Sequence, residues 1–146
     1  LLAVVGVRNP QILGMLIRSA AAGGCQGIVL PRRGGCDICP LVIKSSAGTV
    51  FRAPLLRCDS LPEALAQLRG CGWKISILDG HARRSLFDPL EDGARVFVLG
   101  GETAGVSPAV RELADEHLGI PMANGVESLN VAVTAALVAF RARLGR

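Results

Sequence analysis

Aromatic side chains are scarce in this chain: Phe, Trp and Tyr together make up 3% of the residues, and there is no Tyr. Half of the residues are nevertheless apolar, so the core has to be built from Val, Leu, Ile and Ala. That composition is typical of strands buried on both faces of a sheet and of helices packed against them. Charged residues reach only 19%, which excludes a disordered chain. We therefore expect an α/β fold with a mostly parallel sheet and helices on both faces.

Long hydrophobic runs are also missing. The longest one lies near the C-terminus and is too short to cross a bilayer, and no signal peptide is visible. We therefore expect a cytoplasmic protein with no membrane partner. The 146 residues are enough for one domain with a real core, and we predict a single domain over residues 1–146. Because the chain begins at Leu1 inside an apolar run typical of a strand, we expect it to be one domain of a longer protein.

Residues that bind metals are few and poorly spaced. Cys36 and Cys39 form one CxxC pair, whereas a structural zinc site needs about four ligands. His81 and His117 are not spaced like a pair of metal ligands. The five cysteines are an odd number with no second paired spacing, so we expect reduced thiols. We predict no metal site.

Lysine is rare as well, since fourteen of the sixteen basic residues are Arg. The guanidinium group of Arg is well suited to forked contacts with phosphate. The formal net charge of +4 is mildly basic. A polyanion partner is therefore permitted by the charge but not required by it.

Hydrophobic patterning divides the chain into alternating strands and helices. Strands are predicted at residues 1–7, 27–30, 53–56, 73–78, 95–99 and 118–120. Helices are predicted at residues 11–22, 40–47, 60–69, 107–115 and 129–140. The polar stretch 79–93 is predicted to be a surface loop. This alternation indicates a mostly parallel sheet covered on both faces.

The glycine fingerprint of dinucleotide-binding domains is absent. The turn after the first strand has no G-x-G-x-x-G, and the turn 100–105 lacks its spacing and carries a carboxylate in the middle. A dinucleotide domain is therefore disfavoured. Three other clusters stand at strand ends, where open α/β sheets place their sites: residues 9–20, 98–107 and 120–130.

The third cluster is the most unusual of them. Pro121 removes a backbone donor, Gly125 permits backbone angles closed to other residues, and Ser128 is a good N-cap for the apolar helix that follows. Asn130 falls in the first turn of that helix. An amide buried there needs hydrogen-bond partners, so we expect a function for it.

The order and spacing of the three clusters resemble the three motifs of the SpoU/TrmH family of RNA ribose 2′-O-methyltransferases. The resemblance covers nearly the whole chain and implies a C-terminal, trefoil-knotted site of the SPOUT type that binds S-adenosylmethionine. It also implies methylation of structured RNA by a homodimer that needs no metal. The segment 44–48 resembles a stretch of rRNA-modifying members, so we expect rRNA rather than tRNA as the substrate.

By this resemblance, five residues surround the adenine and ribose of the methyl donor: Leu99, Gly100, Ile120, Met122 and Leu129. Glycine and loop backbone can approach a planar ligand closely, which supports the assignment independently. A plain tight turn is the alternative for Gly100. Four polar residues match the catalytic positions: Arg18, Glu102, Ser128 and Asn130.

Each catalytic assignment has a simpler alternative. The pKa of arginine lies far above neutral, so a phosphate or orienting role suits Arg18 better than a base role, and a solvated helix face explains it without any role. Glu102 would otherwise anchor its loop or pair with an arginine. Ser128 and Asn130 would otherwise cap the last helix.

Two positions depart from the family pattern. Ile12 stands where an asparagine is usual, and Gly101 replaces a frequent asparagine. Because Ile12 removes a polar group from the predicted site, the alternative function is a catalytically impaired member that binds RNA or cofactor. By the same resemblance we expect the N-terminal RNA-binding extension of many members to be absent from residues 1–146, which fits their modest charge.

Overall fold

The centre of the molecule is one seven-stranded sheet in which every neighbouring pair of strands is parallel. A computed structural model describes residues 1–101 and 105–144, with the backbone alone for 142–144. The strands are β1 (Leu2–Val5), β2 (Ile28–Pro31), β3 (Leu55–Cys58), β4 (Lys74–Leu78), β5 (Arg84–Ser85), β6 (Arg95–Gly100) and β7 (Glu116–Gly119). Their spatial order is β3-β2-β1-β6-β4-β7-β5. The predicted parallel α/β sheet is confirmed.

Helices cover both faces of this sheet, as predicted. They are α1 (Pro10–Ala22), α2 (Pro40–Ser45), α3 (Leu61–Gly70), α4 (Pro108–Arg111) and α5 (Val131–Leu144), with a 3₁₀ turn, η1, at Thr49–Phe51. Side chains of α1, α2 and α5 share one apolar cluster with the sheet, and those of α3 and α4 share the other. The two clusters together make a core of Leu, Ile, Val and Ala on either side of the strands.

The register of apolar residues explains why these segments fold as they do. In α1 the residues spaced for one helix face, Leu13, Leu16, Ile17 and Ala20, are buried. Asn9 caps the helix, since its side chain accepts a hydrogen bond from the backbone N–H of Gln11 at 2.9 Å. In the strands, Ile75 and Ile77 face one apolar cluster from β4, and full burial of such a side chain stabilises the fold by about 2 kcal/mol.

The order of the strands brings three of their carboxyl ends together. β6 lies between β1 and β4, and β7 lies between β4 and β5, although both come late in the chain. Because the strands are parallel, the loops after β4, β6 and β7 meet at the same edge of the sheet. The trefoil knot implied by the family resemblance is not tested by this strand order and stays a prediction.

Several element boundaries differ from those predicted; β3, for example, spans Leu55–Cys58 rather than 53–56. The stretch 79–93 contains the short strand β5, which pairs with β7. Helix α4 ends at Arg111 and β7 begins at Glu116, because Asp115 is tied to β4. Its backbone N–H donates to the carbonyl of Ile75 at 2.9 Å, and its carboxylate accepts from the N–H of Ile75 at 2.8 Å. Within residues 1–101 and 105–144, no helix combines the length and apolar character needed to span a membrane.

Candidate cofactor site

An open cleft of about 990 Å³ lies at the carboxyl edge of β4, β6 and β7. Four segments line it: the loop after β4, the turn after β6, the end of β7 with its loop, and the start of α5. Its volume is at the upper end of the range found for small-molecule sites. Crevices at strand carboxyl ends are where open α/β sheets bind ligands.

Six of the nine predicted site residues line this one cleft: Leu99, Gly100, Ile120, Met122, Ser128 and Leu129. All five residues predicted to surround the donor are among them. Arg18 is exposed on α1 and does not line the cleft, and neither does Asn130. Glu102 lies outside the described residues.

The backbone at Gly100 is packed too closely for any side chain. A Cβ atom at this position would lie 2.8 Å from the carbonyl carbon of Gly105 and 3.0 Å from the amide nitrogen of Val106. The turn after β6 therefore folds back directly on the end of the strand. This close packing requires glycine whether or not a ligand is present, as the tight-turn alternative expects. The backbone groups of Gly100 nevertheless lie on the wall of the cleft.

The loop 120–130 forms the opposite wall and is tightly turned at its tip. Asn124 and Gly125 both have positive φ, at 55° and 72°, as the sequence predicted for the glycine. The N–H of Val126 donates to the carbonyl of Ala123 at 3.1 Å and closes the turn. Ile120 and Leu129, at the two ends of the loop, are half-buried and bring apolar side chains into the cleft.

The predicted start of the last helix was wrong by two residues. Helix α5 begins at Val131, and Asn130 rather than Ser128 caps it. The side-chain oxygen of Asn130 accepts from the N–H of Ala132 at 2.8 Å, and its carbonyl accepts from the N–H of Thr134 at 3.0 Å. Asn130 is exposed, so it is not the buried amide that was expected. Its presence at this position is explained by capping.

Ile12 has a structural reason to be apolar. It is half-buried at the start of α1 and packs against the apolar cluster that α1 shares with α2 and α5. A side chain at this position therefore contributes to the core. An apolar side chain that packs against this cluster therefore stands where the family pattern has a polar one.

A charged cluster in the cleft was missed from the sequence. Asp79 follows β4, and its carboxylate accepts from the backbone N–H of His81 at 3.0 Å and from Arg111 at 2.7 Å. The Nδ1 atom of His117 lies 3.4 Å from the same carboxylate. The hydrogen bond from the His81 N–H, followed by that from Arg111, lowers the pKa of Asp79 to about 2. The only sequence signal was an acidic residue and a glycine directly after a buried strand.

Arg111 links the separate walls of the cleft. Besides Asp79 it donates to the carbonyl of Val106 at 3.3 Å, so α4, the turn after β6 and the loop after β4 are held together. The cleft thus combines apolar side chains, fixed backbone groups and the ion pair of Asp79 with Arg111. Such a set can hold a flat heterocycle that carries polar groups.

Comparison with known proteins places this architecture in a family. The model of the SpoU rRNA Methylase family matches residues 1–140. The chain is 36% identical over 142 residues to 23S rRNA (guanosine-2′-O-)-methyltransferase RlmB of Burkholderia sp, covering 97% of this chain and 58% of that protein. It is 37% identical to RlmB of Xylella fastidiosa over 97% of this chain and 57% of the relative.

Solved structures agree with the sequence relatives. The SpoU methyltransferase AviRb from Streptomyces viridochromogenes, in complex with the cofactor AdoMet, superposes with a TM-score of 0.87 at 30% identity, over 99% of this chain and 60% of that one. The AdoMet-bound rRNA methyltransferase from Sinorhizobium meliloti gives 0.88 at 26% identity, over 99% and 55%. The chain spans somewhat more than half the length of these relatives. It belongs to the SpoU rRNA methylase family.

Proposed function

We propose that this chain is the catalytic domain of an RNA methyltransferase that transfers the methyl group of S-adenosylmethionine to a ribose 2′-oxygen of rRNA. The observation that carries the proposal is the convergence of Leu99, Gly100, Ile120, Met122 and Leu129 on one cleft. The names of the relatives, which act on 23S rRNA, favour rRNA over tRNA as the substrate. Since rRNA is the substrate, we place the reaction in the cytoplasm.

The residues of the cleft suit this cofactor. Ile120 and Leu129 offer apolar surface to the adenine ring. The backbone at Leu99 and Gly100, held by β6, and at Met122, in the loop after β7, offers N–H and C=O groups. When bound, S-adenosylmethionine supplies an electrophilic methyl group on a sulfonium.

Catalysis by this chain would consist mainly of positioning. The chain would hold the ribose 2′-hydroxyl against the methyl group that the bound donor would supply, and the hydroxyl proton would leave to water. Ser128, on the exposed edge of the cleft, is placed to orient the ribose hydroxyl, and Asn130 fixes the start of α5 beside it. We assign to Arg18 a contact with the phosphate next to that ribose, and to Glu102 the anchoring of its loop.

A homodimer would bring Arg18 of one copy to the cleft of the other. Arg18 is exposed and does not line the cleft of its own chain, so a second copy has to bring it there. Helices α1 and α5 pack side by side, and each exposes a large apolar side chain: Met15 is 46% and Val133 is 48% exposed. An apolar surface shared by these two helices suits a two-fold interface.

An impaired member of the family is the second candidate function. The packing of Ile12 in the core favours it, because no polar side chain is available at that position of the site. In this case the chain would bind the donor or RNA without turnover. The Ile12→Asn variant separates the two candidates, since it raises methyl transfer only if Ile12 limits activity.

Calorimetry with S-adenosylmethionine is the first test, and undetectable binding would overturn the enzyme assignment. Next, incorporation of a labelled methyl group into rRNA and into tRNA is compared, and the modified ribose is mapped by mass spectrometry. We expect incorporation into rRNA. Incorporation into tRNA alone would correct the substrate, and binding without incorporation into either RNA would establish the impaired alternative.

A further inference from the structure

Charge is distributed unevenly along the chain. Residues 1–58 contain seven of the sixteen basic residues but one of the twelve acidic ones, Asp37. The remaining residues contain nine basic and eleven acidic side chains. The modest net charge therefore hides a strongly basic first part and a slightly acidic second part. Such an asymmetry is typical of a chain that contacts a polyanion with one region.

The fold keeps this basic part together in space. Residues 1–58, which we call the basic half, form β1, β2 and β3, three neighbouring strands at one end of the sheet. They also form α1, α2 and η1, which pack on one another. The residues from 59 onward contribute β4 to β7 and nearly all of the cleft, and we call them the cofactor half.

The two halves use their basic side chains differently. Among the residues that the structure describes, only Arg32 and Arg57 of the basic half have carboxylate partners, Asp59 at 3.1 Å and Asp37 at 2.8 Å. The other five cations are exposed and have no ion-pair partner within the part of the chain that the structure describes: Arg8, Arg18, Arg33, Lys44 and Arg52.

In the cofactor half the cations are largely neutralised. Five of them are paired with carboxylates: Arg69, Lys74, Arg84, Arg95 and Arg111. Arg141 donates to two backbone carbonyls, and of the described side chains in this half only that of Arg83 lacks such a partner. Positive potential that is free to attract an anion therefore resides mainly in the basic half.

The same part of the chain carries an exposed aromatic ring. Phe51 is 73% exposed, the largest value among the large apolar side chains that the structure describes. It belongs to η1, directly before Arg52, and η1 packs against α1 and α2. A ring so exposed adds little to the core, whereas an unpaired base can stack on its face.

We propose that the basic half is the surface on which the RNA substrate docks, with Arg33, Lys44 and Arg52 on its phosphates and Phe51 stacked on an unpaired base. The proposal rests on the function proposed above and adds where the RNA lies. The combination of free guanidinium groups with an exposed aromatic ring fits RNA that has single-stranded segments. An anionic membrane surface would attract the same cations and is an outcome of the test.

The electrostatic part is tested with two double variants that each remove two positive charges. Arg33→Gln with Arg52→Gln changes the basic half, and Arg69→Gln with Lys74→Gln is the matched control in the cofactor half. Binding of a fluorescein-labelled RNA hairpin with an unpaired loop is followed by anisotropy over a range of salt concentrations. We expect the first variant to bind roughly tenfold more weakly and to reduce the slope of log K against log salt by about 1.5, and the control to match wild type.

The stacking part is tested with Phe51→Ala against Phe87→Ala, whose ring is 50% exposed in the cofactor half. Phe51→Ala should weaken hairpin binding roughly tenfold with an unchanged salt slope, because it removes stacking and no charge. Phe87→Ala should leave affinity unchanged. Equal losses in the two charge variants, or in the two phenylalanine variants, would overturn the proposal.

Binding to an anionic membrane is tested with phosphatidylglycerol vesicles. If the vesicles displace the hairpin at equal phosphate concentration, the RNA-docking proposal is also overturned. Donor affinity from calorimetry on wild type and on every variant keeps this proposal separate from the proposed function. If wild type binds no donor, the enzyme assignment fails while the comparison of RNA affinities remains readable. If donor binding is intact in all variants and their RNA affinities are equal, the docking surface alone is wrong. Circular dichroism melts show that each variant is folded.

Discussion

The basic half and the cofactor half contain the same kind of side chain, arginine, and use it in opposite ways. In the cofactor half, most guanidinium groups with described side chains are bonded to carboxylates or backbone carbonyls of the protein. In the basic half most of the cations are exposed and unpaired among the described residues, and a single acidic residue accompanies seven cations. Charge counted over the whole chain therefore says little about where a polyanion binds. The pairing of each cation shows where positive charge is left uncompensated.

The cofactor half shows most clearly what internal arginines do. Three of them hold the backbone after β5: Arg84 donates to the carbonyl of Pro89 at 2.8 Å, Arg95 to that of Glu91 at 3.2 Å, and Arg141 to that of Asp88 at 2.6 Å. Arg84 and Arg95 also share the carboxylate of Glu116. The loop after β4, which lines the cleft, is thereby fixed at its far end by strands and by α5.

The largest effect is expected at Gly100, where the surrounding backbone leaves no space for a side chain. In Gly100→Ala the new Cβ meets the backbone of Gly105, so we expect a loss on the order of 3 kcal/mol in unfolding free energy and a strong loss of donor affinity. Urea unfolding and calorimetry measure the two effects. Gly70→Ala is the matched control, because no heavy atom lies within 4 Å of its Cβ, and it should keep both properties. Wild-type donor affinity in Gly100→Ala would contradict the role of this turn.

Removing one arginine from each half tests the comparison directly. Arg141→Ala leaves the carbonyls of Leu86 and Asp88 without their donor and should lower the free energy of unfolding by about 2 kcal/mol. Arg52→Ala, at an exposed and unpaired position, should change it by less than about 0.5 kcal/mol. Urea denaturation at neutral pH gives both values. Equal losses would show that the two halves do not differ in this respect.

Asp79 links stability of the cofactor half to pH. Its pKa is lowered from 3.8 to about 2, so its contribution is present above pH 4 and is lost as the pH falls toward 2. Because the side chain is partly solvated, we expect about 1–2 kcal/mol. The Asp79→Asn variant should lose this stability at pH 7 and show a flatter dependence between pH 4 and pH 2. An unchanged acid profile would show that neither the His81 N–H nor Arg111 stabilises the ionised carboxylate of Asp79.

The smallest effect concerns the start of α5. Asn130→Ala removes the cap and should cost about 1 kcal/mol, whereas Ser128→Ala should cost almost nothing, because the helix begins after Asn130. Thermal unfolding of the two variants measures the difference. The reverse order would restore the assignment of Ser128 as the cap.

The fold was largely predictable because its signals are local. The apolar runs that became β1, β4 and β6 and the spaced apolar residues of α1 are visible in the sequence without any tertiary information. The strand β5 was missed because Arg84 and Ser85 are polar and the strand is only two residues long, so it is defined by its pairing with β7. The end of α4 was missed because Asp115 bonds to Ile75, which is far away in sequence.

The site was predictable only in part, because some of its contacts join segments that are distant in sequence. The residues predicted by resemblance to surround the donor do line one cleft, while the roles assigned to Arg18, Glu102, Ser128 and Asn130 stay predictions. The contacts of Asp79 with Arg111 and His117 depend on the neighbouring positions of β4 and β7. No local pattern encodes that adjacency, and the pairing of cations in the two halves is hidden in the same way.

The late insertion of β6 and β7 also sets the timing of assembly. β1 pairs with β6 across most of the chain, Leu2 opposite Phe97, and contacts between such distant segments form slowly. Until residues 95–100 pair with β1 and β4, the cleft lacks the strand that carries Leu99 and Gly100. In contrast, β1, β2 and β3 can already associate. Donor binding would therefore report that β6 and β7 have joined β4, and a refolding chain should gain its secondary structure before it gains affinity for the cofactor.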